Sequence, residues 1–141
     1  MPMYRKILAA VDFSPHTGAV IRRALSLAQQ NDAMLQILHV VDYEWPMDTD
    51  YVLPPVDGLE EKFVDKAHER LASLQESTGA SGSERVVLVG RPKQEILREA
   101  ERWQADLIVL GAHGHHGLAG LLGSTTDGVL HRAACEVLVV R

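Results

Sequence analysis

The chain of 141 residues has one cysteine, no apolar run approaching the about 18 residues of a spanning helix, and no surplus of positive charge. Each absence excludes a class of protein. Cys135 has no partner for an internal disulfide, so nothing points to an oxidising compartment. The opening residues, MPMYRKILAAVDFS, carry only a short apolar run before Asp12, unlike a secretory signal, and a cytoplasmic location is expected. With 14 Lys and Arg against 19 Asp and Glu, a net charge of −5 argues against nucleic acid or an anionic membrane held by bulk electrostatics. Basic residues are missing altogether from residues 42–61, where the carboxylates concentrate.

Catalytic signatures are missing as well. There is no Gly-Lys-Ser/Thr of a Walker loop, no G-x-S-x-G elbow, no paired Cys and His, and no G-x-G-x-x-G after the first strand. What remains is ordinary globular composition, 46% apolar and 23% charged, enough for one hydrophobic core and a single domain over residues 1–141.

Apolar runs and helical patterns alternate along the chain. Residues 7–11 form a continuous apolar run ending at Asp12, as expected of a strand buried on both faces. Ser14-Pro15 predicts a helix start with Ser14 as N-cap, followed by Val20, Ile21, Ala24, Leu25 and Ala28 on one face. Residues 34–41 (MLQILHVV) are the second strand. Residues 42–55, from Asp42 to Pro55, hold three prolines, Trp45, Tyr43 and Tyr51 without any period, and are expected to be a long loop or lid. Leu59, Phe63, Ala67, Leu71 and Leu74 mark the second helix, and the turn-rich residues 77–83 end it. Residues 85–89 (RVVLV) are the third strand. Pro92 opens a helix with Ile96, Leu97, Ala100 and Trp103 inward. Residues 106–110 (DLIVL) are the fourth strand, residues 124–133 the fourth helix, and residues 137–140 (VLVV) the fifth strand.

Strictly alternating β and α with V/I/L-rich strands implies an α/β fold, a doubly wound five-stranded parallel sheet with helices on both faces. Right-handed crossovers favour the strand order 3-2-1-4-5. The first and fourth strands then flank the switch point, where such sheets bind ligands at their carboxyl ends. Asp12 and Gly111 fall at those two ends.

After the fourth strand the chain reads GAHGHHGLAGLLGSTTD, with five glycines between residues 111 and 123. Glycines allow close backbone approach, and Ser124 with Asp127 has the spacing of a capping box opening the fourth helix. A helix N-terminus offers unpaired N–H groups and the positive end of a dipole, which suits phosphate. The bland alternative is a flexible loop feeding a capped helix.

At these residues the chain resembles the universal stress proteins, in particular their ATP-binding branch, over nearly its whole length. The landmarks are KILAAVDFS at residues 6–14, His39-Val40, Val89-Gly90-Arg91-Pro92, residues 111–124, and the closing ACEVLVVR. The family motif is Gly, two residues, Gly, nine residues, Gly, then Ser or Thr. Gly111 and Gly114 match its first half and Gly123-Ser124 its second, with only residues 115–122 between them, one fewer than the pattern. The shortfall is absorbed by rotating the start of the fourth helix or tightening the loop at Gly117 or Gly120, or else it shifts the anion-holding amides and weakens binding.

The resemblance implies an adenine nucleotide alpha hydrolase-like fold and an ATP site. Ala10 and Asp12, with Val11 between them, would border adenine and ribose, and Val40 would offer backbone to the base. Leu110 and Gly111 would lie beneath base and ribose. Gly114, Gly123, Ser124 and Thr125 would hold phosphates, with His113 nearby. Mg2+ would bridge the phosphates and need few protein ligands. The resemblance also implies a homodimer, in which the edge strand Val137-Leu138-Val139-Val140 pairs with its twin. A regulatory protein partner, not yet identified, would read nucleotide occupancy.

The bland readings stand beside these. Asp12 would equally serve the start of the first helix. His113, His115 and His116 invite a metal, but three histidines within four loop residues rarely reach one ion, and pH-dependent charge near phosphates fits them better. Cys135 reads as a small buried hydrophobe and Trp103 as core or interface. Trp45, Tyr43 and Tyr51 either close over the ligand or pack on the surface. Without Lys or Arg inside the loop, any ATP hydrolysis is expected to be slow. Three functions are therefore carried forward: a nucleotide-dependent stress-response regulator, a dimeric interaction module of the same fold without nucleotide, and a slow ATPase.

Overall fold

The computed structural model describes residues 2–42, 58–113 and 122–141. Nine elements alternate among them: β1 (Lys6–Val11), α1 (Thr17–Asn31), β2 (Met34–Asp42), α2 (Leu59–Thr78), β3 (Glu84–Gly90), α3 (Pro92–Trp103), β4 (Leu107–Gly111), α4 (Ser124–Arg132) and β5 (Glu136–Val140). All neighbouring strands are parallel, in the order β3-β2-β1-β4-β5 expected from the pattern.

The period-2 alternation of a strand divides the core into two layers. Ile7, Ala9, Val11, Leu35 and Ile37 face α1 and α2, packing on Val20, Ile21, Ala24 and Leu71. Leu8, Ala10, Leu38 and Val40 face the other way, toward Ile96, Ala100 and Val129 of α3 and α4. Because β1 is covered on both faces, residues 7–11 have no polar alternation at all, which is why the run is continuous.

Three helices end alike. Asp32, Gly79 and Gln104 adopt left-handed φ of 51°, 82° and 61°, and the next amide bonds a carbonyl five residues back at 2.7–2.9 Å. This closure satisfies the orphan carbonyls of each last turn. At the same end of the sheet Asp106, expected inside the fourth strand, stands just before β4. Its carboxylate accepts the amides of Arg5 and Lys6 at 2.7 and 2.9 Å, fastening β4 to the start of β1.

Two helix starts differ from the sequence reading. α1 begins at Thr17 with His16 as N-cap, and Ser14 is not a cap. The Asp12 carboxylate takes the Ser14 amide at 2.9 Å and Phe13 turns left-handed (φ 63°), so the chain completes a turn, closed by Thr17 N to Ser14 O, before helix can begin. Likewise α4 has Gly123 as N-cap with no side-chain cap, so the Ser124/Asp127 capping box does not form. The Gly123 carbonyl already accepts the Asp127 amide at 2.9 Å, which places Ser124 one position inside the helix. On α2, Phe63 is 41% exposed rather than inward, and the helix continues through Ser77 and Thr78.

Candidate functional site

β1 and β4 lie side by side, with Ile7, Leu8 and Ala9 level with Leu107, Ile108 and Val109. Beyond their carboxyl ends the chain leaves β1 for α1 on one face and β4 for α4 on the other. Two neighbouring strands that part in opposite directions leave a crevice above their ends. Ala10, Val40 and Leu110 are buried in the same apolar layer, under α3 and α4, whereas Val11 points into the opposite layer. Asp12 is exposed at the rim and Gly111 half-buried beside it.

The base of the glycine loop is clamped by backbone and by one hydroxyl. The Ala112 amide donates to Val140 O at 2.8 Å and the Gly123 amide to Ala112 O at 3.0 Å, so the chain departs and returns at one point. The Thr126 hydroxyl donates to Gly111 O at 2.7 Å and ties the first turn of α4 to the end of β4. Ser124 is exposed and Thr125 half-buried at that turn, where the uncapped amides carry the positive end of the helix. Gly111 is not in a left-handed conformation, and a Cβ there would meet Val20 Cγ2 at 3.5 Å and the His113 carbonyl at 3.7 Å, ordinary contacts. The described residues do not themselves require glycine at this position.

His113 comes near the residue that precedes α1. Its ring is 6.5 Å from that of His16, and its buried Nδ1 has no hydrogen-bond partner among the described residues. The hydroxyl of Thr17, 3% exposed at the first position of α1, is likewise unpartnered there. Gly114, His115 and His116 lie outside the described residues, as do Tyr43, Trp45 and Tyr51 of the expected lid. Among the described residues no group of three His, Cys, Asp or Glu is placed to hold a metal ion.

Three residues that the sequence reading passed over, or used only as a landmark, shape the rim. Phe13 stacks on His39 with centroids 4.0 Å apart, and the Arg70 guanidinium covers its ring at 4.2 Å. His39 Nδ1 in turn donates to Val11 O at 2.8 Å, fixing that tautomer. The stack holds the turn that carries Asp12. Sequence offers little sign of it, since the partners come from three separate elements. Thr126 was also passed over, although a Thr three residues before buried Val129 falls on the inward face of α4.

Away from the crevice, Cys135 is half-buried and burial pushes its thiol pKa up, which favours the neutral thiol. No helix among the described residues is long and apolar enough to cross a membrane.

The model of the universal stress protein family matches residues 3–141. Universal stress protein A homolog 1 of Coxiella burnetii is 37% identical over 97% of this chain and 96% of its own length. The solved structure of universal stress protein UspA from Lactobacillus plantarum is 34% identical, covers 98% of both chains and superposes with a TM-score of 0.77. Two more distant structures share the fold: a universal stress protein in complex with cAMP (24% identity, 98% of this chain and 97% of that one, TM-score 0.74) and one from Archaeoglobus fulgidus in complex with dAMP (21%, 99% of both chains, TM-score 0.68).

Proposed function

The chain belongs to the universal stress protein family, and from that premise we propose that it binds an adenine nucleotide, ATP with Mg2+, in the crevice between β1 and β4. The observation that carries this reading is the junction of β4 with α4. There an uncapped helix N-terminus is fastened by Thr126 to the last residue of a central strand, beside a glycine that the described residues do not require. Uncapped amides at a helix start suit phosphate, and a side chain at residue 111 would fill space above the strand ends. The adenine nucleotides held by two proteins of the same fold are in keeping with this ligand class.

In this reading Ala10, Leu110 and Val40 form the apolar bed of the base, with Val11 behind them, and Asp12 faces the ribose hydroxyls. Gly111 lies beneath the ribose. The amides and hydroxyls of Ser124 and Thr125, with Gly123 and Gly114, hold the phosphates, and His113 stands close by. Mg2+ is held by the phosphates themselves, with few protein ligands. No general base or transferring cation is assigned, so the nucleotide acts as a signal: its presence sets the conformation of residues 111–123, which a partner protein reads. Two copies pair through the edge strand β5, Val137 to Val140.

Calorimetric titration of Mg-ATP into the wild-type chain, Gly114→Val and Ser124→Ala tests the reading. Saturable binding in the wild type that Gly114→Val abolishes and Ser124→Ala weakens is expected. No binding at millimolar ATP would mean that the chain is an interaction module of the same fold. Sustained turnover, lost in Asp12→Ala, would make it an ATPase instead.

A further inference from the structure

Gly128 is the fifth residue of α4, inside a regular helix and without a positive φ. Alanine is the better helix former at such a position, so the glycine needs a reason. A Cβ built there would stand 2.1 Å from Lys93 Cδ, 3.0 Å from Cγ and 3.4 Å from Cε. The stem of Lys93, the second residue of α3, therefore lies directly on the bare backbone of α4. Lys93 is half-buried, and its ammonium makes no hydrogen bond or ion pair with the described residues. Glu95, the nearest carboxylate to Lys93 in sequence, is paired with Arg98 at 3.0 Å, and Asp127, next to Gly128, is turned to His131 at 3.6 Å.

The consequence lies in where this stem ends. Thr125 is three residues before Gly128, about 4.5 Å along the helix axis, so a lysine crossing Gly128 carries its charge to within roughly 10 Å of the first-turn amides. A triphosphate anchored on those amides would lie within reach of that charge. Residues 111–123 contain no Lys or Arg, so any side-chain cation for the phosphates would come from another element.

We infer that Lys93 supplies from α3 the positive charge for the outer phosphates of the nucleotide, and that residue 128 is glycine so that the lysine can pass. This rests on the nucleotide reading above and adds a residue that selects ATP over AMP. The competing explanation is packing alone, the stem covering α4 with its charge merely in water.

Titrating ATP and AMP, each with Mg2+, into the wild-type chain, Lys93→Met and Gly128→Ala separates the two. Methionine keeps the length and packing of the stem and removes the charge. Lys93→Met is expected to bind ATP about tenfold more weakly, the size of one lost charge-assisted contact, with AMP affinity unchanged. Gly128→Ala is expected to show the same selective loss with a melting temperature no lower than wild type, because the methyl evicts the lysine but suits the helix. Equal ATP affinity in wild type and Lys93→Met overturns the inference while leaving the nucleotide site standing, and so does a parallel loss of ATP and AMP. A wild type that binds neither nucleotide overturns both.

Discussion

Phe13 is held in a conformation that L-residues avoid, and its cost is visible in what surrounds it. A left-handed φ of 63° costs a non-glycine residue about 1 kcal/mol or more. The His39 face on one side and the Arg70 guanidinium on the other offset it. Phe13→Ala loses the stack and keeps the strain, whereas Phe13→Gly loses the stack and sheds the strain. The glycine variant is therefore predicted to be the more stable of the two, by about 1 kcal/mol in urea denaturation. The reverse order would show that the turn is unstrained. Tyr4 gives a second residue-scale test. Its hydroxyl donates to Glu136, and that bond, with burial and then the Glu136 charge adding to it, raises the phenol pKa above 10.0. Since the folded value is the higher, the stabilisation is complete below about pH 10 and is lost as pH rises through the folded pKa. Wild-type stability is predicted to fall more steeply above pH 10 than that of Tyr4→Phe; parallel alkaline profiles would remove Tyr4 from the account.

At the scale of elements, the two ends of α4 and α1 show what a sequence pattern can carry. Continuous apolar runs gave away the strands because residues 7–11 and 107–110 are buried on both faces, and Pro92 marked the start of α3 because it stands at the first helical position. The adjacency of Asp12 and Gly111 followed from strand order alone. Ser14 and Ser124, by contrast, have the composition of caps without the geometry. The first is pre-empted by the Asp12 carboxylate taking its amide, the second by the Gly123 carbonyl already accepting Asp127. Both depend on backbone angles that residue type does not encode. Ser124→Ala is accordingly predicted to change the melting free energy by less than about 0.5 kcal/mol, against about 1 for a true cap. Thr126→Val should cost about 1 kcal/mol, because it removes the bond to Gly111 O from a part-buried site. A larger effect for Ser124 than for Thr126, in thermal unfolding of the two variants, would restore the capping box.

For the molecule as a whole, the sheet offers two apolar edge strands, β3 and β5, and one crevice. Among the described residues β5 pairs with β4 alone, and its valines are half-buried. Such an edge invites a second strand. If two copies pair there, Val139→Lys is predicted to sediment as a monomer where the wild type is a dimer; a wild-type monomer at micromolar concentration, or a variant that stays dimeric, would place the contact elsewhere. The crevice bears the larger claim, that the open ends of β1 and β4 hold an adenine nucleotide. A ligand that binds only the folded chain adds about 2.7 kcal/mol at a hundred times its Kd. For a domain of this size that corresponds to a rise of several degrees in melting temperature, roughly 2–4 °C per kcal/mol. The most direct measurement is thus thermal unfolding of the wild-type chain and of Gly111→Val, each with and without Mg-ATP. The account predicts that ATP raises the wild-type melting temperature by several degrees and leaves Gly111→Val, itself folded, unmoved. A wild-type melting temperature indifferent to millimolar ATP, or an equal rise in both proteins, would contradict it.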